Sequence, residues 1–575
     1  MRTLLPYMKP FRKECVIAPL FKLLEALLEL FVPLMMAAII DKGILAENAP
    51  YVLRMGLGLV GLGLLGFGCS VTAQFFAAKA AVGFTAKVKS VLFAHIQKLS
   101  HTELDQIGTP TLINRMTTDM NQVQTGVNMT LRLLLRSPFV VLGATIMAFT
   151  VDAKTALIFL ALLPLLTLVV AGIMALTLPR HKQVQGQLDN VLLRTRENLT
   201  GVRVIRAFNK QESEEAAYSD ETGLLFSLQQ GVGRLSSLMN PLTYVLVNGA
   251  LIVLLWSGAW QVEGGILTQG AVVALVNYLS QILVELIKLA NLIITITKAL
   301  ASAGRIETIL EQESSMKDPA SPTAAPVTSE ECVRFDNVST RYAGAGEESL
   351  TGISFTALRG QTIGVIGGTG SGKSTLVNLI PRFYDASSGT VLVDGVDVRQ
   401  QSQESLRDKV AVVPQKAMLF KGTIRDNLRW GKQDATDKEL WQALEIAQGA
   451  EVVRGKPGQL DEMIEQNGRN LSGGQRQRLT IVRALVRNPE ILILDDSASA
   501  LDYATDAALR KALREMDTSA TVFIVSQRAS SIRFADQILV LDDGELAGIG
   551  THDELLENCS VYQEIYYSQY PKEAV

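Results

Sequence analysis

The stretch TIGVIGGTGSGKST, residues 362–375, decides the fold of the chain's second half. Thr362 to Ile366 reads as a short buried strand, which runs into a glycine-rich turn and then an apolar helix. That strand–loop–helix context is what makes a G-x-x-x-x-G-K-S pattern a phosphate-binding loop. The loop is Gly367-Gly368-Thr369-Gly370-Ser371-Gly372-Lys373-Ser374-Thr375. Its glycines let backbone N–H groups approach phosphate oxygens, and the helix start adds a favourable dipole. Lys373 is spaced to reach the outer phosphates, and Ser374 to ligate Mg²⁺. A parallel α/β core is expected around it.

Downstream, ILILDDSASALD at residues 491–502 delivers two carboxylates, Asp495 and Asp496, to the end of another apolar strand. Asp495 fits the Mg²⁺-holding carboxylate of such a nucleotide site. Just before that strand, Leu471-Ser472-Gly473-Gly474-Gln475 opens a helix that carries Arg476, Arg478 and Arg483. A glycine-bearing helix start presents bare N–H groups, which suit an anion.

These three elements, in this order, resemble the ATP-binding cassette (ABC) family. The resemblance covers nearly the whole chain and implies ATP and Mg²⁺ as cofactors. It also implies further roles. Tyr342 matches the aromatic that stacks on adenine. Gln415, in Val413-Pro414-Gln415-Lys416-Ala417-Met418, matches a glutamine that reaches Mg²⁺ and the attacking water. Ser499-Ala500-Leu501-Asp502 matches the family's D-loop. In the family, Leu471–Gln475 would bind the γ-phosphate of ATP held by a second motor domain, so two chains are needed.

Two positions depart from the family pattern. The carboxylate that polarises water is usually Glu and is here Asp496; the switch histidine is replaced by Gln527. Asp is one methylene shorter, and a general base must sit within roughly 2.6–3.2 Å of its proton. Gln cannot become cationic. Together they describe a site that binds ATP and hydrolyses it poorly. Bacterial heterodimeric multidrug exporters show that pattern in one subunit. Leu5–Pro10, Leu23–Leu27 and Ile39–Gly43 also look like that group. The expected partner is a second half-exporter with intact Glu and His; a homodimer with Asp496 as a slow base is the alternative.

At 575 residues the chain needs more than one domain. Apolar residues make up 48% and charged ones 19%, and the long apolar runs lie before residue 300. Six stretches, near 15–40, 56–82, 130–151, 156–179, 236–259 and 271–299, are long enough to cross a hydrocarbon core of about 20 helical residues. Arg2, Lys9, Arg12 and Lys13 precede the first; Arg180, Lys182, Arg194, Arg196, Arg203, Arg206, Lys210 and Arg234 fill the connection at 180–235. That asymmetry puts the termini, the long connections and the ATPase domain in the cytoplasm. The resemblance implies that the spans lie in a bacterial inner membrane. Six spans also exclude the soluble ABC proteins that act on nucleic acid. Cys15, Cys69, Cys332 and Cys559 have no metal or pairing pattern and carry no expected chemistry.

The expected architecture is a six-helix membrane domain (1–310) with cytoplasmic helix extensions, a polar linker (311–330), and an α/β P-loop ATPase domain with a helical subdomain (331–575). By resemblance, Gly108–Asp119 and Gly201–Phe208 are the coupling helices that dock on the ATPase. Lys22, Glu25 and Glu29 share one helix face, as do Asn277, Gln281, Glu285 and Lys288. Glu25, Glu29, Gln281 and Glu285 are candidates for a substrate cavity, the alternative being ion pairs that fix helix packing. Glu29 is the carboxylate expected to be spare. The expected cargo is a hydrophobic or cationic drug. Export of lipid, peptide or a thiol metabolite, or an ATP-gated sensor, would use the same motifs.

Overall fold

The computed structural model describes residues 3–323, 330–516 and 520–570. The expected linker therefore lies partly outside the described residues. The chain forms two compact units: residues 1–97 with 110–312, and residues 98–109 with 313–575.

The first unit is helical. Among the described residues six helices are long and apolar enough to cross a membrane: Leu5–Ile44, Ala49–Ile96, Thr109–Val151, Ala153–Thr200, Gln211–Glu263 and Gln269–Glu311. Each has 40 residues or more. At 1.5 Å per residue that is about 60 Å, roughly twice a hydrocarbon core. The surplus forms helical extensions beyond the apolar spans. Lipid gives helices no hydrophobic reason to associate, so small residues do the packing. Ala18 and Ala26 on one helix, and Ala73, Ala77 and Ala80 on the next, are fully buried. A Cβ on Gly126 would overlap the Ala299 methyl, so these helices touch nearly backbone to backbone.

The second unit is built on a six-stranded sheet, ordered Glu545–Gly550, Gln537–Asp542, Thr362–Gly367, Thr521–Val525, Ile491–Asp495, Val410–Val413. All pairings but the first are parallel. Strands buried on both faces read as unbroken apolar runs, which is why Ile491–Leu494 and Thr521–Val525 lack alternation. The parallel register sends Gly367, Asp495 and Ser526 to one edge, where open α/β sheets bind ligands. Glu331–Thr340 and Leu350–Leu358 pair antiparallel in a separate four-stranded sheet. Helices Asp437–Ile446 and Gly473–Leu485 pack through Leu440, Leu444, Leu479 and Val482.

Residues 98–109 correct one expectation. The segment that belongs to the ATPase unit is the helix His101–Ile107, not the whole of Gly108–Asp119. Ser100 and Glu103 form a capping box that starts this helix. The His101 ring stacks on Phe383 at 4.7 Å. Residues 110–119 instead lead into the third long helix of the first unit. Pro110 is a legible start signal, but the Ser100–Glu103 box upstream, nearly three helical turns before it, is the one that seats the chain. The second segment contains the short helix Val202–Ala207 in the first unit, with Phe208 71% exposed.

Candidate functional site

A cavity of about 530 Å³ opens at the carboxyl edge of the six-stranded sheet, lined by Tyr342, Thr369–Thr375 in part, Gln415, Asp495, Asp496 and Gln527. Gly372 caps the helix Lys373–Leu379 at φ +90°, and a Cβ there would meet Ser349 O at 2.7 Å. Only glycine fits that turn.

Lys373 Nζ donates to Gly367 O at 3.0 Å and Gly368 O at 2.5 Å, so the ammonium lies folded along its own loop. Burial pulls its pKa below the usual lysine range, while Asp496 and Asp495 oppose that shift. Ser374 Oγ donates to Asp495 Oδ1 at 2.9 Å. Burial holds Asp495 above the usual carboxylate range; Asp496 adds to this, while the Ser374 bond and Lys373 oppose it. A hydroxyl beside a buried carboxylate is a hard-oxygen donor set, which fits Mg²⁺.

Asp496 is held from three directions. Its backbone is left-handed at φ +46°. Its N–H donates to Val525 O at 3.0 Å, and its C=O accepts from the Ser499 hydroxyl at 2.8 Å. Its side chain accepts from Gln415 Nε2 at 3.2 Å. Gln527 is fixed through its backbone: its carbonyl accepts from Gln569 Nε2 at 2.8 Å, and Gln569 Oε1 accepts from Ala529 N at 2.9 Å. Sequence reasoning missed Gln569, and nothing in its neighbourhood signals a bond to so distant a loop. Tyr342 Oη lies 3.1 Å from Thr375 Oγ1, which sets its ring beside the loop.

The remaining motif residues lie elsewhere. None of Leu471–Gln475 or Ser499–Asp502 lines this cavity. Ser472 caps the helix Gly473–Leu485 and exchanges bonds with Gln475, leaving Ser472 and Gly473 at the surface.

The polar stripes of the first unit line a separate cavity of about 340 Å³, walled by Glu29, Met36, Asn277, Gln281, Glu285 and Lys288, among others. Two expectations are corrected here. Glu25 does not line it and instead binds Lys22 at 2.6 Å. Glu29 is not spare: Arg136, 6% exposed, binds Glu29 at 2.7 Å and Glu285 at 2.5 Å. Lys288 completes the cluster at 2.8 Å from Glu285. A buried carboxylate needs a partner, and Arg136, at the start of the third span, supplies it. The expected cation preference loses its basis.

Residues 15–286 match the family described as ABC transporter transmembrane region, and residues 350–499 the family described as ABC transporter. The chain is 36% identical to the ABC transporter ATP-binding protein YfiB of Bacillus subtilis, across 100% of this chain and 99% of that one. The chain belongs to the ABC transporter family. It is 35% identical to an ABC transporter ATP-binding protein of Mycobacterium tuberculosis, over 98% of this chain and 97% of the other. It is 32% identical to YgaD of Bacillus subtilis, a putative multidrug export ATP-binding/permease protein, over 99% of each. A solved structure of a bacterial Atm1-family ABC exporter with ATP bound superposes with a TM-score of 0.81 at 26% identity, covering 98% of this chain and 99% of that one. This ABC chain is thus a half-transporter: a membrane domain of six apolar helices fused to an ATPase domain that couples ATP hydrolysis to transport. ABC exporters act as dimers in a lipid bilayer.

Proposed function

We propose that this ABC chain is the weakly hydrolysing half of a heterodimeric exporter in the bacterial inner membrane, with its ATPase domain cytoplasmic. The carrying observation is the side chain of Asp496, which is short and bonded to Gln415 inside the cavity. In this reading Lys373 and the loop glycines hold the phosphates, and Tyr342 holds adenine. Ser374, Gln415 and Asp495 hold Mg²⁺, which when bound neutralises phosphate charge. Gln527 contacts the γ-phosphate without supplying a cation. Loss of a well-placed general base typically slows a step by about 10²–10⁴.

The exposed Ser472 and Gly473 support the rest of the reading. They would close over nucleotide held by a partner that supplies an intact Glu and His. The exposed Phe208 supports a second docking surface for that partner. The cargo is a hydrophobic small molecule, in keeping with relatives named for multidrug export. The chain purified alone should bind Mg·ATP and hydrolyse it very slowly, and turnover should appear with the half-exporter encoded beside it. Rapid hydrolysis and transport by the chain alone would instead establish a homodimer.

A further inference from the structure

A second concavity of the ATPase unit, about 500 Å³ in volume, lies away from the nucleotide cavity. Its wall is strongly basic: Arg510, Lys511, Arg514 and Arg533 stand against one carboxylate, Glu515. Two of these cations are already engaged. Arg510 binds Asp506 at 3.1 Å and donates to Ser530 O at 2.9 Å; Lys511 lies 3.8 Å from Glu515. Among the described residues no carboxylate pairs with Arg514 or Arg533. Both guanidinium groups sit against the Phe534 ring, 5.0 and 4.4 Å from its centroid. Arg514 also donates to Phe534 O at 3.3 Å. One aromatic side chain thus holds two like charges near each other, against their repulsion, at the mouth of a pocket.

We propose that this pocket is a binding site for a small polyanion, bearing phosphate or carboxylate groups. Planar guanidinium groups read such oxyanions through paired N–H donors, and the volume suits a small molecule. Its place in the fold gives it leverage. Arg510 and Arg514 lie on the helix Tyr503–Arg514, which Asp502 of the D-loop segment caps. Ser530 and Arg533 lie in and just after the helix Ala529–Ile532 that follows Gln527. Tyr570, also in the wall, follows Gln569, whose side chain grips the backbone of Gln527 and Ala529. An anion bridging Arg514 and Arg533 would tie the D-loop helix to the switch loop.

The test uses full-length Lys373→Ala protein, to disable the nucleotide loop, in Mg²⁺-free buffer. Sodium tripolyphosphate and citrate are titrated separately by calorimetry. One equivalent of at least one probe should bind, and binding should slow amide exchange across residues 527–533. Tighter tripolyphosphate assigns a phosphate ligand, and tighter citrate a carboxylate one. Adding Arg514→Ser and Arg533→Ser should weaken binding roughly a hundredfold or more, since each lost bond to a charged group is worth about a factor of ten or more. Arg533→Gln alone, at an exposed position, should weaken it in the same direction and guards against misfolding of the multiple variant. Absence of binding by either probe, or unchanged binding after loss of both arginines, overturns the proposal.

Discussion

The Tyr384 hydroxyl donates to the Asp105 carboxylate at 2.7 Å, joining the short helix His101–Ile107 to the ATPase core. The same ring meets Tyr342 edge-on at 5.0 Å, and Tyr342 in turn reaches Thr375 beside the phosphate loop. Burial first, and then Asp105, hold the Tyr384 phenol well above its ordinary range, so it stays a donor at working pH. Tyr384→Phe keeps the ring and removes one bond, at a cost of about 1 kcal/mol. Amide exchange across 101–107 should rise several-fold, roughly in proportion to that cost. Nucleotide affinity should barely change. Unchanged exchange would show that the aromatic stack alone seats the helix.

Protons should act on the same joint through His101. Burial, helped by Arg407, depresses its pKa below 6.5, with Asp105 opposing. The undocked imidazole then binds a proton more readily than the docked one. Docking is strongest above the ordinary value and weakens as pH falls through 6.5 toward the depressed one. His101→Phe preserves stacking and should flatten this dependence, read as amide exchange of 101–107 across the interval. An equally steep dependence in the variant would place the responsible group elsewhere.

Asp496 and Ser472 should carry opposite weights in the assembled transporter. If this chain is the weakly hydrolysing half, Asp496→Asn should cost little, because the partner's site would then do most of the turnover. Disrupting Ser472 should nearly abolish hydrolysis by removing γ-phosphate stabilisation from the working site. Steady-state ATPase of the complex decides it. If Asp496→Asn is as damaging as loss of Ser472, Asp496 is a true base and the asymmetric reading fails.

Arg136→Met should damage folding more than selectivity. It would leave Glu285, whose side chain is 4% exposed, with Lys288 as its only remaining cation, and Glu29 with none among the described residues. Breaking a buried pair from one side costs about 3–5 kcal/mol. Pairing the change with Glu285→Gln should restore much of the thermal stability lost. If the single variant melts like the parent, the cluster is not structural, and cation selectivity returns as the explanation of Glu29.

Motifs carried by backbone geometry were legible in advance. Glycines at 367–372 and the strand before them dictate their own turn, and two carboxylates after Ile491–Leu494 could only emerge at the strand's end. Partners brought in by tertiary packing were not. Nothing in local spacing links Arg136 to Glu29, Gln569 to Gln527, or Tyr384 to Asp105. The docked segment lies upstream of the expected one because Pro110 and Ser100 both announce helix starts, and only the Phe383–Tyr384 surface chooses between them.

The twelve-residue insert 98–109 also sets an order of manufacture. A ribosome makes it between two apolar helices, and makes the domain that receives it only afterwards. Until residues 383 and 384 emerge, His101 has no ring to rest on. A soluble fragment starting at 313 would bare those two aromatics, a ready surface for self-association. The receiving surface is therefore completed only by a segment that the chain carries between its second and third long helices.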